Sequence, residues 1–272
     1  MKAWSVVLTI ILAAACSRHE PVSADDRRQC AADDPDTVIA GCTNLIDSGS
    51  ASASELATAL ENRGKANETR RAYDRAVADF NEAIRLTPHS GAAFNARGYV
   101  FYVQGDNKRA LADFDQALRL DPSDVAAFYN RGNAYRSIGQ YDRGIRDFDS
   151  AIRLRPGFAD ALHMRGVLYG AKGDRDHAIA DLGHAIELNP QDATALIARG
   201  SVYAGKRDFQ NAIGDFSRAA SLQPGFADPY YNRAIVYLNM HDCAHAMQDF
   251  AHAIQLNGQL TMPAGASACV LK

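Results

Sequence analysis

Residues 95–122 read NARGYVFYVQGDNKRALADFDQALRLDP, and residues 130–156 read NRGNAYRSIGQYDRGIRDFDSAIRLRP. Both stretches end in a proline, the two prolines lie 34 residues apart, and small, aromatic and charged residues follow one another in the same order. The same interval separates the residues that can end a helix along most of the chain: Pro88, Pro122, Pro156, Pro190, Pro224 and Gly258. A fixed period of about 20 to 50 residues indicates an array of repeated structural units.

Placing each of these residues at position 32 of a unit defines six units: 57–90, 91–124, 125–158, 159–192, 193–226 and 227–260. Position 8 is a small residue throughout: Gly64, Gly98, Gly132, Gly166, Gly200 and Ala234. Position 24 is large and apolar throughout: Phe80, Phe114, Phe148, Leu182, Phe216 and Phe250. Alanine or glycine also recurs at positions 20 and 27. Small residues let two helices approach each other, and the large residue beside them fills the remaining space.

This pattern resembles the tetratricopeptide repeat, which has glycine at position 8, aromatic residues at 11 and 24, alanine at 20 and 27, and proline at 32. The resemblance covers residues 57–260, about three quarters of the chain. It implies an all-α fold, a right-handed α-solenoid of six helix-turn-helix units. Two helices cannot bury an apolar face alone, so neighbouring units must stack. The first unit departs most, with Asn67 where an aromatic residue is usual.

The N-terminal segment MKAWSVVLTIILAAAC has the order of an export signal: a basic start, an apolar core and small residues. Its end resembles the bacterial lipobox, which implies that residues 1–15 are removed and that Cys16 is lipidated. Leu12 lies one place too early for that motif, so cleavage after Ala15 by an ordinary signal peptidase is the alternative. Polar residues 16–34 then predict a tether, residues 35–56 a capping helix and loop, and residues 261–272 a C-terminal tail.

The remaining four cysteines form two local groups. Because export leads to an oxidising compartment, we expect two disulfides, Cys30–Cys42 and Cys243–Cys269, one near each end of the chain. The alternative is that Cys42 and Cys243 are buried helix residues with free thiols.

Two charged positions recur in every unit, arginine at position 7 and aspartate at position 23. Six arginines are compatible with a spine that binds anions. The equal number of aspartates favours a structural ladder of ion pairs instead. Units two to four supply its central members: Arg97, Asp113, Arg131, Asp147, Arg165 and Asp181.

Catalytic and cofactor motifs are missing from this sequence. It has no Gly-x-Ser-x-Gly, phosphate loop, dinucleotide fingerprint or Cys-x-x-Cys-His motif. His241, His245 and His252 share a helix at partly metal-like spacing, but solvent-facing histidines are the preferred interpretation. We therefore expect no enzyme activity, no cofactor and no metal. A net charge of −3 also gives no general attraction for nucleic acid.

The resemblance implies a binding face as well, because the first helix of each unit lines the concave side in this family. Aromatic rings, amides, one arginine and one histidine occupy the corresponding positions: Asn95, Tyr99, Tyr102, Tyr129, Asn130, Asn133, Arg136, His163, Tyr231 and Asn232. Ile197, Ala198, Ser201 and Ala204 make a later part of this face small and apolar. Rings and amides suit an extended peptide. The alternative is a face that is merely polar and hydrated.

These observations predict an exported, non-enzymatic adaptor that binds a protein or peptide. The chain is similar to bacterial tetratricopeptide lipoproteins that assist envelope, pilus or cell-wall assembly. By the same analogy Ser17 favours the outer membrane, reached only through the lipid anchor. The rival is a periplasmic protein that binds a small ligand or glycan through Tyr99, Tyr102 and Tyr129.

Overall fold

The computed structural model describes residues 23–266 and residue 269, and all regular structure in these residues is helical. The predicted signal peptide and Cys16 lie outside the described residues. The described residues divide into two compact units, unit 1 up to His89 and unit 2 from Ser90 onward. None of the helices in the described part combines the length and apolar character needed to cross a membrane. The all-α prediction is confirmed.

From residue 23 to residue 89, unit 1 contains four helices, each packed on the next: α1 Ala24–Cys30, α2 Pro35–Asp47, α3 Ala53–Thr69 and α4 Tyr73–Leu86. Helix α1 contradicts the tether predicted for residues 16–34. Ser23 and Asp26 form a capping box at its start, and the Cys30–Cys42 disulfide ties its end to α2. Asn62 also donates a hydrogen bond of 3.1 Å to the carbonyl of Cys30. For Ala24–Cys30 the tether prediction was wrong, because these constraints are tertiary, whereas the composition of the segment is polar.

The described residues of unit 2 form five helix pairs: α5 Gly91–Val103, α6 Asn107–Leu120, α7 Val125–Ser137, α8 Tyr141–Leu154, α9 Ala159–Ala171, α10 Arg175–Leu188, α11 Ala193–Gly205, α12 Phe209–Leu222, α13 Ala227–Asn239 and α14 Cys243–Leu256. Helix bounds repeat at the 34-residue interval that the prolines predict. In each pair the small residue at position 8 faces the large one at position 24. A β-carbon on Gly132, for example, would lie 2.8 Å from Cε1 of Phe148. Glycine is therefore needed for this close approach.

The turn inside each helix pair uses a residue with positive φ. Gly105, Gly139 and Gly173 occupy this left-handed conformation, with φ between 74° and 83°. Arg207 and His241 adopt it at the equivalent positions. The second helix then begins at a capping aspartate in four of the five pairs: Asp106, Asp174, Asp208 and Asp242.

The C-terminal tail folds against the last helix pair. Cys243 and Cys269 form the second predicted disulfide. Ala266, in a short 3₁₀ turn over Ala264–Ala266, is buried against Phe250 and its neighbours. Tyr231 donates a hydrogen bond of 3.2 Å to the carbonyl of Thr261. The tail thus covers an apolar surface of the last helix pair, which a further repeat would otherwise cover.

Candidate functional site

The first helices of unit 2 lie on the inner side of its stack. Successive first helices, α5 to α7 and onward to α13, contact one another, whereas successive second helices are farther apart. Because the first helices lie closer together than the second helices, the stack of helix pairs curves toward its first helices. We call the inner surface of α5, α7, α9, α11 and α13 the groove.

Aromatic residues line the groove at its α5 end. Tyr99 is 37% exposed, and its ring centroid lies 6.4 Å from that of Tyr102. Tyr129 on α7 is half-buried, and its ring lies 5.0 Å from that of Phe158. Burial raises the pKa of Tyr129, so its hydroxyl stays protonated and can donate a hydrogen bond at neutral pH. Exposed rings that are held in place offer contact area at little entropic cost.

Amides continue this polar strip. Asn95 on α5 accepts a hydrogen bond of 3.0 Å from the side-chain amide of Asn130 on α7, which links two successive first helices. Both amides are partly exposed. Together with Tyr99 and Tyr102 they form a surface that spans two repeats.

Position 5 of the repeat has a structural role that the sequence did not reveal. Its side chain points at the start of the next first helix: Asn95 approaches the capping Asp124, and His163 Nδ1 lies 3.4 Å from the capping Asp192. His163 is only 9% exposed. It is therefore a contact between repeats and presents little surface to a ligand, which corrects its assignment to the groove.

Asn133 requires a similar correction. It is 8% exposed, and its side-chain amide donates to the carbonyl of Tyr129 one turn earlier. Tyr231, at the far end, is engaged by the tail as described above, while its neighbour Asn232 remains partly exposed. The accessible polar part of the groove at its α5 and α7 end thus consists of Asn95, Tyr99, Tyr102, Asn130 and Arg136 beside the half-buried Tyr129.

Arg136 is the cation of this strip. Its Nε is buried and has no hydrogen-bond partner among the described residues. Its guanidinium forms no salt bridge with them either. A donor in this state favours a ligand that supplies an acceptor.

The arginines and aspartates at positions 7 and 23 form the ladder that the sequence suggests. Arg97, Arg131 and Arg165 each hold the carboxylate 16 residues later through two hydrogen bonds, from Nε and Nη2, at 2.7–2.8 Å. The partners are Asp113, Asp147 and Asp181, all nearly buried. In unit 1, Arg63 pairs with Asp79 in the same way, and the unusual Asn67 also donates to Asp79. The departure at Asn67 thus extends the ion pair.

The remaining guanidinium nitrogen of the arginine, Nη1, contacts the preceding repeat, and we call this the third arm. Nη1 of Arg131 lies 2.7 Å from Asp115, and Nη1 of Arg165 lies 2.5 Å from Asp149. Arg233 uses Ser217 in this way. In Arg131, Arg165 and Arg233 all three guanidinium nitrogens therefore have hydrogen-bond partners within the chain. This argues against an anion-binding spine. Asp115 and Asp149 share position 25 of their repeats, and this recurrence is the sequence signal that points to the contact.

Arg199 lacks this third contact, because position 25 of the preceding repeat is Gly183. A β-carbon at Gly183 would lie 3.6 Å from Arg199 Nη1, at ordinary contact distance. We expect the Gly183→Asp variant to be more stable than the Gly183→Asn variant by about 0.5–1 kcal/mol in free energy of unfolding. Asparagine is the matched control because its size and helix propensity are similar. Urea denaturation measures the difference, and equal stabilities would contradict the role assigned to the third arm.

The histidines of α14 lie apart from one another. His245 lies 2.7 Å from the capping Asp242 and stacks on Tyr237, whereas His252 lies edge-on against Tyr230. No group of residues in the described part of the chain has the composition and proximity of a metal site.

The repeated helix pairs, their inter-repeat ion pairs and the inner groove define a helical-repeat protein. Residues 95–159 and 163–231 match the family model described as Tetratricopeptide repeat, so the chain is a tetratricopeptide-repeat protein over this region. No curated protein matches the chain significantly.

Solved structures share the fold. YrrB, described as a tetratricopeptide-repeat protein with an unusual peptide-binding site, is 25% identical, with 71% of this chain and 98% of YrrB covered and a TM-score of 0.59. MamA is also 25% identical, over 60% of this chain and 95% of MamA, with a TM-score of 0.56. Pseudomonas aeruginosa pilF is 15% identical, with 80% of this chain and 98% of pilF covered and a TM-score of 0.69. This match shows similarity of fold alone.

Proposed function

We propose that this chain is a non-enzymatic scaffold that binds an extended segment of a partner protein in the groove of unit 2. The observation that carries the proposal is the accessible strip of Tyr99, Tyr102, Asn130 and Arg136, in which rings and hydrogen-bonding groups lie side by side on successive first helices. An extended peptide needs both, because its side chains require contact area and its backbone requires hydrogen bonds. The peptide-binding site in the description of YrrB supports the same use of the fold.

Photo-crosslinking tests this proposal directly. A benzoylphenylalanine at position 99 reports on the groove, and the same residue at position 153 reports on the exposed outer side of α8. In native cells we expect protein adducts from position 99 and few from position 153. Adducts of equal yield at both positions would contradict groove binding. Adducts that contain carbohydrate and no protein would favour the rival glycan-binding function.

The location of the protein is part of the same proposal. Residues 1–15 have the order of an export signal, and two disulfides, which join cysteines 12 and 26 residues apart, are typical of an oxidising compartment. We expect an envelope scaffold whose lipidated Cys16 attaches it to the outer membrane. Metabolic labelling with an alkyne fatty acid should label the wild-type chain and leave Cys16→Ser unlabelled. Equal labelling of both would contradict this anchor.

A further inference from the structure

The groove contains a second region of different chemistry between α9 and α11. A depression of about 370 Å³ opens there, lined by Val167, Gly170, Ala198, Gly205 and Arg175, with the fully buried Leu182 at its base. We call this depression the notch. Its volume falls within the range of about 300–1,000 Å³ that is usual for ligand pockets.

The notch exists because two residues lack side chains. Position 12 of the repeat is Tyr102, Arg136 and Leu238 in other units, but it is Gly170 here. A β-carbon on Gly170 would lie 3.4 Å from Cγ2 of Val202, so a longer side chain at this position would enter the open space. Gly205, on α11, leaves room for Arg175, whose Nε would lie 3.3 Å from a β-carbon there.

The surface of the notch is mostly apolar, with Arg175 and Ser201 as its polar side chains. The hydroxyl of Ser201 already donates a hydrogen bond of 2.8 Å to the carbonyl of Ile197 in its own helix. A polar ligand group placed against Val167, Leu182 and Ala198 would lose hydrogen bonds to water without replacing them. An aliphatic side chain has no such loss and gains contact with Val167, Leu182 and Ala198.

The charge beside the notch is positive and unneutralised. Arg175 is exposed and forms no salt bridge with any described residue. Two lysines near the notch, at the ends of α9 and α11, differ from Arg175 because each forms a salt bridge. Lys172 pairs with Asp142, and Lys206 pairs with Asp176. Arg175 is therefore the cation at this place that is available to a carboxylate from outside.

We infer that the notch binds an aliphatic side chain of an acidic peptide, with a carboxylate next to the anchor paired to Arg175. This inference rests on the proposed function, since the peptide follows the groove of unit 2. The same peptide would extend toward α7, where Arg136 supplies a second unneutralised cation. The notch thus selects the aliphatic side chain of the peptide, and Arg175 and Arg136 select acidic residues next to it.

Selection of a random dodecapeptide display library on the full chain tests the inference. We expect the enriched peptides to share one leucine, isoleucine, methionine or valine within a few residues of aspartate or glutamate. A synthetic copy of the commonest sequence should bind Gly170→Leu at least about tenfold more weakly, because the new side chain fills the notch. Gly170→Ala is the control, since its β-carbon stays at contact distance and leaves the notch open.

The acidic preference is tested with a matched pair of cations. Arg175→Gln should weaken binding of the same peptide several-fold and reduce the acidic bias of a repeated selection. Lys206→Gln removes a cation that is already paired and should leave both unchanged. If enriched peptides bind Gly170→Leu and Arg175→Gln as tightly as the wild type, the notch inference is wrong while peptide binding in the groove stands. If no peptide is enriched, both proposals are contradicted.

Discussion

Replacing Arg165 by alanine is expected to lower the free energy of unfolding by about 3 kcal/mol, the usual cost of removing one partner of a buried ion pair. The side chain of Arg165 is 20% exposed and that of Asp181 is 11% exposed, so water can replace little of the lost interaction. The hydrogen bond to Asp181 raises the pKa of the Arg165 guanidinium against the opposing effect of burial, and the arginine is charged at every accessible pH. Its removal leaves Asp181 buried without a cation. Urea denaturation provides the measurement.

The same prediction distinguishes the two partners of Arg165. Asp149, whose side chain is 36% exposed, accepts the third arm, so Asp149→Asn should cost less than about 1 kcal/mol. Asp181→Asn should cost clearly more, because it weakens the buried two-bond contact. Crosslinking yield from position 99 should remain unchanged in folded Arg165→Ala. A variant of full stability with a reduced crosslinking yield would instead support a ligand-binding role for the arginine.

Repeat architecture could be predicted because its determinants are local in sequence. A proline or, after the last second helix, Gly258 follows each second helix, glycine supplies positive φ at Gly105, Gly139 and Gly173, and small residues mark close approach. Each of these depends on the residue's own backbone or volume. The helix bounds therefore follow the 34-residue interval throughout unit 2.

Parts of the candidate site could not be predicted because they depend on what the neighbouring repeat supplies. His163 has a groove position in its own unit, yet it is held by Asp192, which caps the first helix of the next unit. Helix α1 has only seven residues, too few to be stable alone, and depends on the Cys30–Cys42 disulfide and on packing against α2. The notch likewise needs Gly170 and Gly205 from two different units.

Truncating Phe148 to alanine is the second change for which we expect a large loss, about 3–5 kcal/mol in the free energy of unfolding. Phe148 is fully buried at position 24, where its ring occupies the space left by Gly132 and packs with Ile145 and Leu168. Alanine would leave a cavity bordered by helices of two units. Because each repeat is stabilised by its neighbours, the damage should extend beyond the altered pair. Hydrogen exchange should therefore increase in α7, α8 and α9 together.

The chain itself offers the control for this prediction. Leu182 occupies the equivalent position in the next unit, fully buried against Gly166, so leucine is compatible with this packing. Phe148→Leu should thus cost only about 1–1.5 kcal/mol, since most of the buried apolar volume is retained. Leucine and alanine variants of equal stability would show that the volume at position 24 does not set the stacking energy. A loss for Phe148→Ala confined to α8 would show that the units are not coupled through this residue.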